Sequence, residues 1–331
     1  MPSRRLFMGS AAALSISPLV LASRANATVL NPGQVLSLFD SLPGDKSIKI
    51  WAPATDNKPQ LLISSNASPQ LFVGSAFKTF VLAEALIQAD TPDVVKTITS
   101  AQLTLDASVW SVDSATFNPP NLSGTVSERT AMEAMIMHSD NTGTDMMLKY
   151  AGPDNVRSFI AAAGLKKTAI PDSTRSFFGY LLGASDYKTF TWAELEASGP
   201  LPIVNSPLNG VETLASSADD LVYYYSRALH GQFFKNPETL NEFRRILSLG
   251  DAIFLVPLPI GASAFAKGGS IDVPGFHCLC VPGGLFFNNR WVYFAFTINW
   301  YAAAETDPDT AAAFVSATSQ AMTLVFNALS A

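Results

Sequence analysis

The sequence predicts an α+β (mixed α/β) protein. An antiparallel sheet is assembled from the two chain ends and flanked by helices, with an all-helical lobe inserted between them. Three observations carry this. Strand-like apolar runs stand near the start, at residues 47–51 and 60–64, and again near the end, at 262–271, 276–281 with 285–287, and 290–300. Between them, apolar residues recur at helical spacing. An Ala-rich amphipathic stretch, 307–329, closes the chain. Strands at both ends with helices between them fit one sheet that carries an insertion.

Taken in order, the first two runs form a hairpin across the turn-rich segment 53–59. Residues 75–89 read as a helix, with Phe77, Phe80, Val81, Ala85 and Leu86 at helical spacing. Thr125 and Glu128 form a capping-box signature ahead of a helix over 132–138. Helices follow over 141–150 and 155–163. From 179 to 211 the pattern breaks into an aromatic, Gly- and Pro-containing loop, and long irregular loops in compact domains tend to cover a site. Helical spacing returns over 218–229 and 237–247. The predicted organisation is a catalytic domain over 28–331. Its sheet lobe comprises about 28–74 and 220–331, and its helical lobe about 75–219, with a long omega-type loop at 172–212.

Residues 1–27 are set apart as an export signal. Arg4 and Arg5 supply a basic start, 11–22 an apolar middle, and Ala25-Asn26-Ala27 a small-x-small cleavage site. Ser3-Arg4-Arg5-Leu6-Phe7 also fits the twin-arginine pattern. The apolar run is shorter than the ~20 residues a membrane span requires. The expected location is therefore periplasmic or secreted, with no membrane span after cleavage.

The 331-residue chain holds 21 basic and 27 acidic side chains, and the signal removes three arginines and no acid. The remaining acidic balance argues against nucleic acid as a partner. The expected partner is a small-molecule amide or ester, and the expected state a monomer. No cofactor and no metal is expected, because Cys278, Cys280 and His277 are too few for a zinc site. The two cysteines, on one face of a strand at the upper limit of disulfide reach, read as buried thiols.

Three short strings carry the chemistry: Ser75-Ala76-Phe77-Lys78, Ser139-Asp140-Asn141 and Lys267-Gly268-Gly269. A serine hydroxyl is a poor nucleophile unless a base takes its proton. Lys78, three residues on and on the same helical face, can reach it, and burial beside Lys267 would lower its pKa. Ser139-Asp140-Asn141 falls at a break between helices, where it reads equally as a helix cap. The glycines after Lys267 permit close backbone approach. A second S-x-x-K string, Ser185-Asp186-Tyr187-Lys188, has no helical period behind it and reads as chance.

In this order the three strings resemble the S-x-x-K, S-D-N and K-T-G motifs of class A β-lactamases and their low-molecular-weight penicillin-binding relatives. The likeness runs over nearly the whole chain after the signal. Met137 to Thr142 with Met147-Leu148 resembles the S-D-N helix. Ala151-Gly152-Pro153, Gly164-Leu165 and Ser173-Thr174-Arg175 resemble the approach to the omega loop. The resemblance implies the β-lactamase/transpeptidase-like fold and a serine hydrolase with Ser75 as acylated nucleophile and Lys78 as general base. It further implies Ser139 as proton relay, Asn141 as ligand of the substrate amide, and Lys267 as the positive field. Gly269 would line the substrate, and the amides of Ser75 and Ser270 would form the oxyanion hole.

Two departures stand out. No acid follows Thr174-Arg175 where the family's water-activating glutamate belongs; counting along reaches Gly179-Tyr180. Glu194 and Glu196, in Trp192-Ala193-Glu194-Leu195-Glu196, are the candidate deacylation bases, against the alternative that both are exposed loop carboxylates. Gly268 stands where the family has a hydroxyl residue, and no arginine occurs between Lys267 and Arg290. His277 is a candidate substitute when protonated, or a buried strand histidine. Phe177, Phe178, Tyr180, Tyr187, Phe190 and Trp192 either line an acyl pocket, with Tyr180 on the substrate, or anchor the loop. The leading expectation is acyl-enzyme formation on Ser75 by a β-lactam or related cyclic amide. The alternatives are an esterase, amidase or D,D-peptidase on the same nucleophile, and a slowly deacylating covalent binder or sensor.

Overall fold

The computed structural model describes residues 30–198 and 202–330. The segment read as an export signal lies outside the described residues. Helix α1 (Pro32–Leu36) is opened by Asn31, whose side chain accepts the Gly33 N–H at 2.9 Å, and by Pro32 at its first position. Strands β1 (Asp45–Ala52) and β2 (Leu61–Ser65) then form the predicted antiparallel hairpin. Along β1 the side chains alternate. Ile48, Ile50 and Ala52 enter one core while Trp51 packs against the other.

A two-residue strand, β3 (Leu71–Phe72), leads into a 3-10 turn, Gly74–Phe77, and helix α2 (Lys78–Gln88). The helix expected over 75–89 is therefore two elements. Ser75 sits in the tighter turn and Lys78 is the first α-helical residue. Every residue of α2 from Lys78 to Leu86 is buried, as befits a helix that is apolar nearly all round.

Helix α3 (Val94–Ser100) and the ribbon β4 (Gln102–Leu105) with β5 (Gly124–Ser127) precede α4 (Glu128–Met137). Thr125 lies inside β5. The cap of α4 is Ser127, which accepts the Thr130 N–H at 3.1 Å, so the capping-box reading of Thr125 and Glu128 is corrected by two residues. Helices α5 (Asn141–Ala151) and α6 (Pro153–Ala162) follow.

The segment 179–211, expected to be irregular, is mostly turn and coil among its described residues but carries short helical pieces. Helix α7 (Thr174–Leu181) opens with a reciprocal capping box between Ser173 and Ser176. A 3-10 turn, Tyr187–Thr189, and α8 (Trp192–Ser198) come next. The loop is tied at its neck, where the Asp172 N–H donates to Glu212 at 3.0 Å and the Arg157 guanidinium pairs with Asp172. In the second S-x-x-K string, Ser185 is exposed and Lys188 reaches Asp172 at 3.3 Å.

After β6 (Ala215–Ser216), helix α9 (Ala218–Ala228) packs on the sheet. Helix α10 (Pro237–Leu247) matches its expected span. It rests mainly on α2, α3 and α4, and also touches β7 of the sheet lobe where its place in the chain put it. Its inner face supplies Phe243, Ile246 and Leu247, and Glu242 takes ion pairs from Arg129 and Arg245.

The carboxy-terminal part holds β7 (Ser263–Ala266), β8 (Gly269–Val273), β9 (Phe276–Phe287), β10 (Arg290–Trp300) and helix α11 (Pro308–Ser330). The sheet order is β2-β1-β10-β9-β7, with β8 also pairing β9, and every pairing is antiparallel. The run expected as one strand over 262–271 is interrupted at Lys267-Gly268, so β7 and β8 pair different stretches of β9. One face of the sheet packs on α1 and α11 through Val292, Phe294, Phe296 and Ile298; the other packs on the helical lobe. Cys278 and Cys280 are free buried thiols. Cys278 donates to the Phe72 carbonyl at 3.1 Å, and the Cys280 sulfur lies 3.2 Å from the Thr297 hydroxyl.

Candidate active site

The three strings meet where the helical lobe abuts the sheet. Buried Lys78 Nζ donates to the Ser139 carbonyl at 2.6 Å, to Asn141 Oδ1 at 2.7 Å and to Ser139 Oγ at 3.2 Å. Lys267 Nζ, also fully buried, reaches the same Ser139 Oγ at 3.2 Å from the sheet side. Ser139 thus stands between two amines. Burial, with Lys267 nearby, pushes the Lys78 amine down to about 7. Burial likewise lowers Lys267, although Asp251 works in the opposite direction.

Backbone geometry aims these groups. Ser139 has φ +53, a left-handed conformation that a residue with a Cβ adopts only when its surroundings impose it. Asp140 imposes it. One of its carboxylate oxygens accepts the Gly143 N–H at 2.8 Å and caps α5; the other accepts the amides of Thr116 and Phe117 at 2.8 and 3.0 Å. The string therefore divides its work. Asp140 is the cap, while Ser139 and Asn141 hold the lysine.

Ser75 is half-buried on the 3-10 turn. A Cβ on Gly74, where φ is +52, would lie 2.7 Å from the Ser270 nitrogen; one on Gly269 would lie 2.7 Å from the Ser75 nitrogen and 2.0 Å from the Val73 carbonyl. The start of β8 thus presses directly on the Ser75 turn, which only glycine permits. This contact brings the Ser75 and Ser270 backbones together. Helix α9 braces both walls: the Tyr224 hydroxyl donates to the Thr79 carbonyl at 2.8 Å, and the Tyr225 hydroxyl accepts the Lys267 N–H at 3.1 Å.

The remaining candidates fall elsewhere. Glu194 is exposed and accepts the Thr191 N–H at 2.7 Å and the Thr191 hydroxyl at 2.6 Å, so it caps its own helix. Glu196 is exposed on the same short helix. Tyr180 packs its ring on Tyr187 at 5.3 Å, and its carbonyl accepts from Asn205 at 2.7 Å, which makes it a loop anchor. His277 is fully buried, stacked on Trp300 and bonded to Asp272 at 2.8 Å. The Arg290 guanidinium is spent on the carbonyls of Ala52, Pro53 and Pro59.

The structure adds residues that no string announced. Asp251 accepts from Lys267 Nζ at 2.6 Å and from the Gly268 N–H at 2.9 Å. Asp145, on α5, takes the Thr174 amide and hydroxyl at 2.6 and 2.8 Å and the Arg175 amide at 3.1 Å, fastening the loop to the cleft wall. Burial still raises its carboxyl to about 6. Asp113, at φ +55, faces solvent, but the surrounding protein raises its carboxyl to about 7 against the pull of Lys78. Asp251 and Asp145 lie far in sequence from the groups they hold. No group of acidic, histidine and cysteine side chains suited to a metal occurs among the described residues.

Solved structures share this architecture. The chain superposes on the TLA-1 extended-spectrum β-lactamase with a TM-score of 0.67 at 13% identity, covering 90% of this chain and 97% of that one. A class A β-lactamase from Bacteroides cellulosilyticus gives 0.64 at 16% identity over 90% and 96%, and PBP-A gives 0.64 at 16% over 89% and 95%. At these identities the likeness shows the β-lactamase fold. A comparison with curated proteins finds no match by sequence. The beta-lactamase enzyme family matches over residues 35–255, two of the three strings included. The chain belongs to that family and is a class A β-lactamase-like serine hydrolase.

Proposed function

We propose that the protein forms an acyl-enzyme on Ser75 and opens a β-lactam or related cyclic amide. The observation that carries this is the Lys78 amine. It lies three residues from Ser75, is held by Ser139 and Asn141, and is brought by burial to a pKa of about 7. Ser75 Oγ adds to the acyl carbon as its proton passes to Lys78. The carbon–nitrogen bond then breaks, and the leaving nitrogen takes a proton through Ser139, which borders both lysines. Ring opening expels nothing, so the adduct has the summed mass of protein and lactam. Water then releases the acid and restores Ser75. The Ser75 and Ser270 amides would hold the oxyanion.

A second reading, a covalent binder that deacylates slowly, is favoured by one observation. Glu194 is committed to Thr191 at the loop surface instead of holding a water at the cluster. Either protein would act outside the cytoplasm if residues 1–27 direct twin-arginine export.

Intact-mass measurement tests both readings with a panel of a penicillin, its neutral ester and an activated carboxylic ester. A transient adduct with product release supports the hydrolase, and a lasting one the binder. No adduct together with no hydrolysis from any compound, or an adduct that survives Ser75→Ala, overturns the proposal.

A further inference from the structure

We infer that Asp251 makes this site selective for acyl donors with no carboxylate beside the scissile bond: neutral esters and amides, including lactams whose acid is masked. The inference rests on Ser75 being acylated. An ammonium group has three N–H donors. On Lys267 all three are matched by protein acceptors: Asp251 Oδ2 at 2.6 Å, the Gly268 carbonyl at 2.7 Å and Ser139 Oγ at 3.2 Å. The other oxygen of Asp251 takes the Gly268 N–H at 2.9 Å. A built-in carboxylate thus occupies the cation and the strand-edge amide that an anionic substrate would use.

Local sequence agrees with this occupancy. A Cβ on Gly268 would lie 3.1 Å from Asp251 Oδ1 and 3.1 Å from the Ala252 Cβ, so a hydroxyl-bearing residue and this carboxylate compete for one space. A Cβ on Gly250 would fall 1.8 Å from the Ala266 carbonyl; the bare backbone there lets Asp251 approach the lysine. Four further cations are committed. Arg244 bonds the Leu229 carbonyl, Arg245 pairs with Glu242 and Glu133, and His277 and Arg290 are occupied as described. The Asp251 side chain keeps 37% of its surface exposed. It therefore repels an incoming carboxylate and can accept from an N–H or O–H of a neutral donor.

A matched pair tests this: benzylpenicillin and its methyl ester, with acylation of Ser75 followed by intact mass in the wild-type protein and in Asp251→Asn. The wild type is expected to acylate at least about tenfold faster with the ester, the equivalent of one charge-assisted hydrogen bond. Asp251→Asn, which leaves Lys267 uncompensated, is expected to lower the ester-to-acid ratio by at least about tenfold. A purely structural role for Asp251 would slow both compounds and leave the ratio unmoved, which would overturn the inference. Equal rates in the wild type, or a faster acid, would overturn it without any variant. In those cases the adducts still uphold acylation of Ser75; neither adduct nor hydrolysis with either compound overturns both.

Discussion

The Lys78 amine and the Asn141 side-chain carbonyl are joined by a 2.7 Å hydrogen bond across the cleft between two helices. The bond orients a lysine whose charge is already disfavoured, first by burial and then by Lys267. Its chemical consequence is a dependence on pH.

Protonated Lys78 cannot accept the Ser75 proton. Acylation should therefore be slow below pH 7, rise through about 7 and level off above it. Lys78→Arg, whose guanidinium stays charged, should not acylate at any pH. Stopped intact-mass time courses from acid to alkaline pH would check this; a rate flat through about 7 would remove Lys78 as the base.

Gly269→Ala should disable the site. The new Cβ would meet the Val73 carbonyl at 2.0 Å and the Ser75 nitrogen at 2.7 Å, forcing β8 away from the Ser75 turn. Losing one oxyanion donor costs roughly 10²–10³ in rate, and the acylation rate constant should fall by about that factor. Near-UV circular dichroism would verify that the variant is folded.

Asp140→Ala removes acceptors for three backbone amides, those of Gly143, Thr116 and Phe117. Stability should drop by about 1–3 kcal/mol. Acylation should slow as well, because Ser139 loses the anchor that holds it at positive φ. Urea unfolding measures the first effect and adduct formation the second.

Glu194→Gln and Glu196→Gln should leave the lifetime of any Ser75 adduct within about twofold, since surface changes away from a site have small effects. Both residues are exposed, and Glu194 serves its own helix cap. An adduct that persists only in one of these variants would make that glutamate the missing base.

Much of this molecule was legible along the chain. The β1–β2 hairpin, helix α10 and strand β10 follow from residue spacing, because apolar periodicity reflects which face must leave water. Where the sequence misled, a tertiary contact overrode local preference. Helix α2 begins at Lys78 because the turn before it is pressed by β8 at Gly74. The cap of α4 falls on Ser127, since Thr125 is drawn into pairing with Thr104 in the β4–β5 ribbon.

The sequence alone determined the Ser75-to-Lys78 string, and the Ser139 and Lys267 strings that accompany it, because local spacing and residue type suffice to state them. Only the tertiary structure decided what surrounds them. Asp251 reaches Lys267 from 16 positions earlier in the chain, while Glu194, which the sequence offered as a base, turns outward. Packing of distant segments sets these contacts. Charge placement across a cleft is a property of three-dimensional proximity, and no local pattern encodes it.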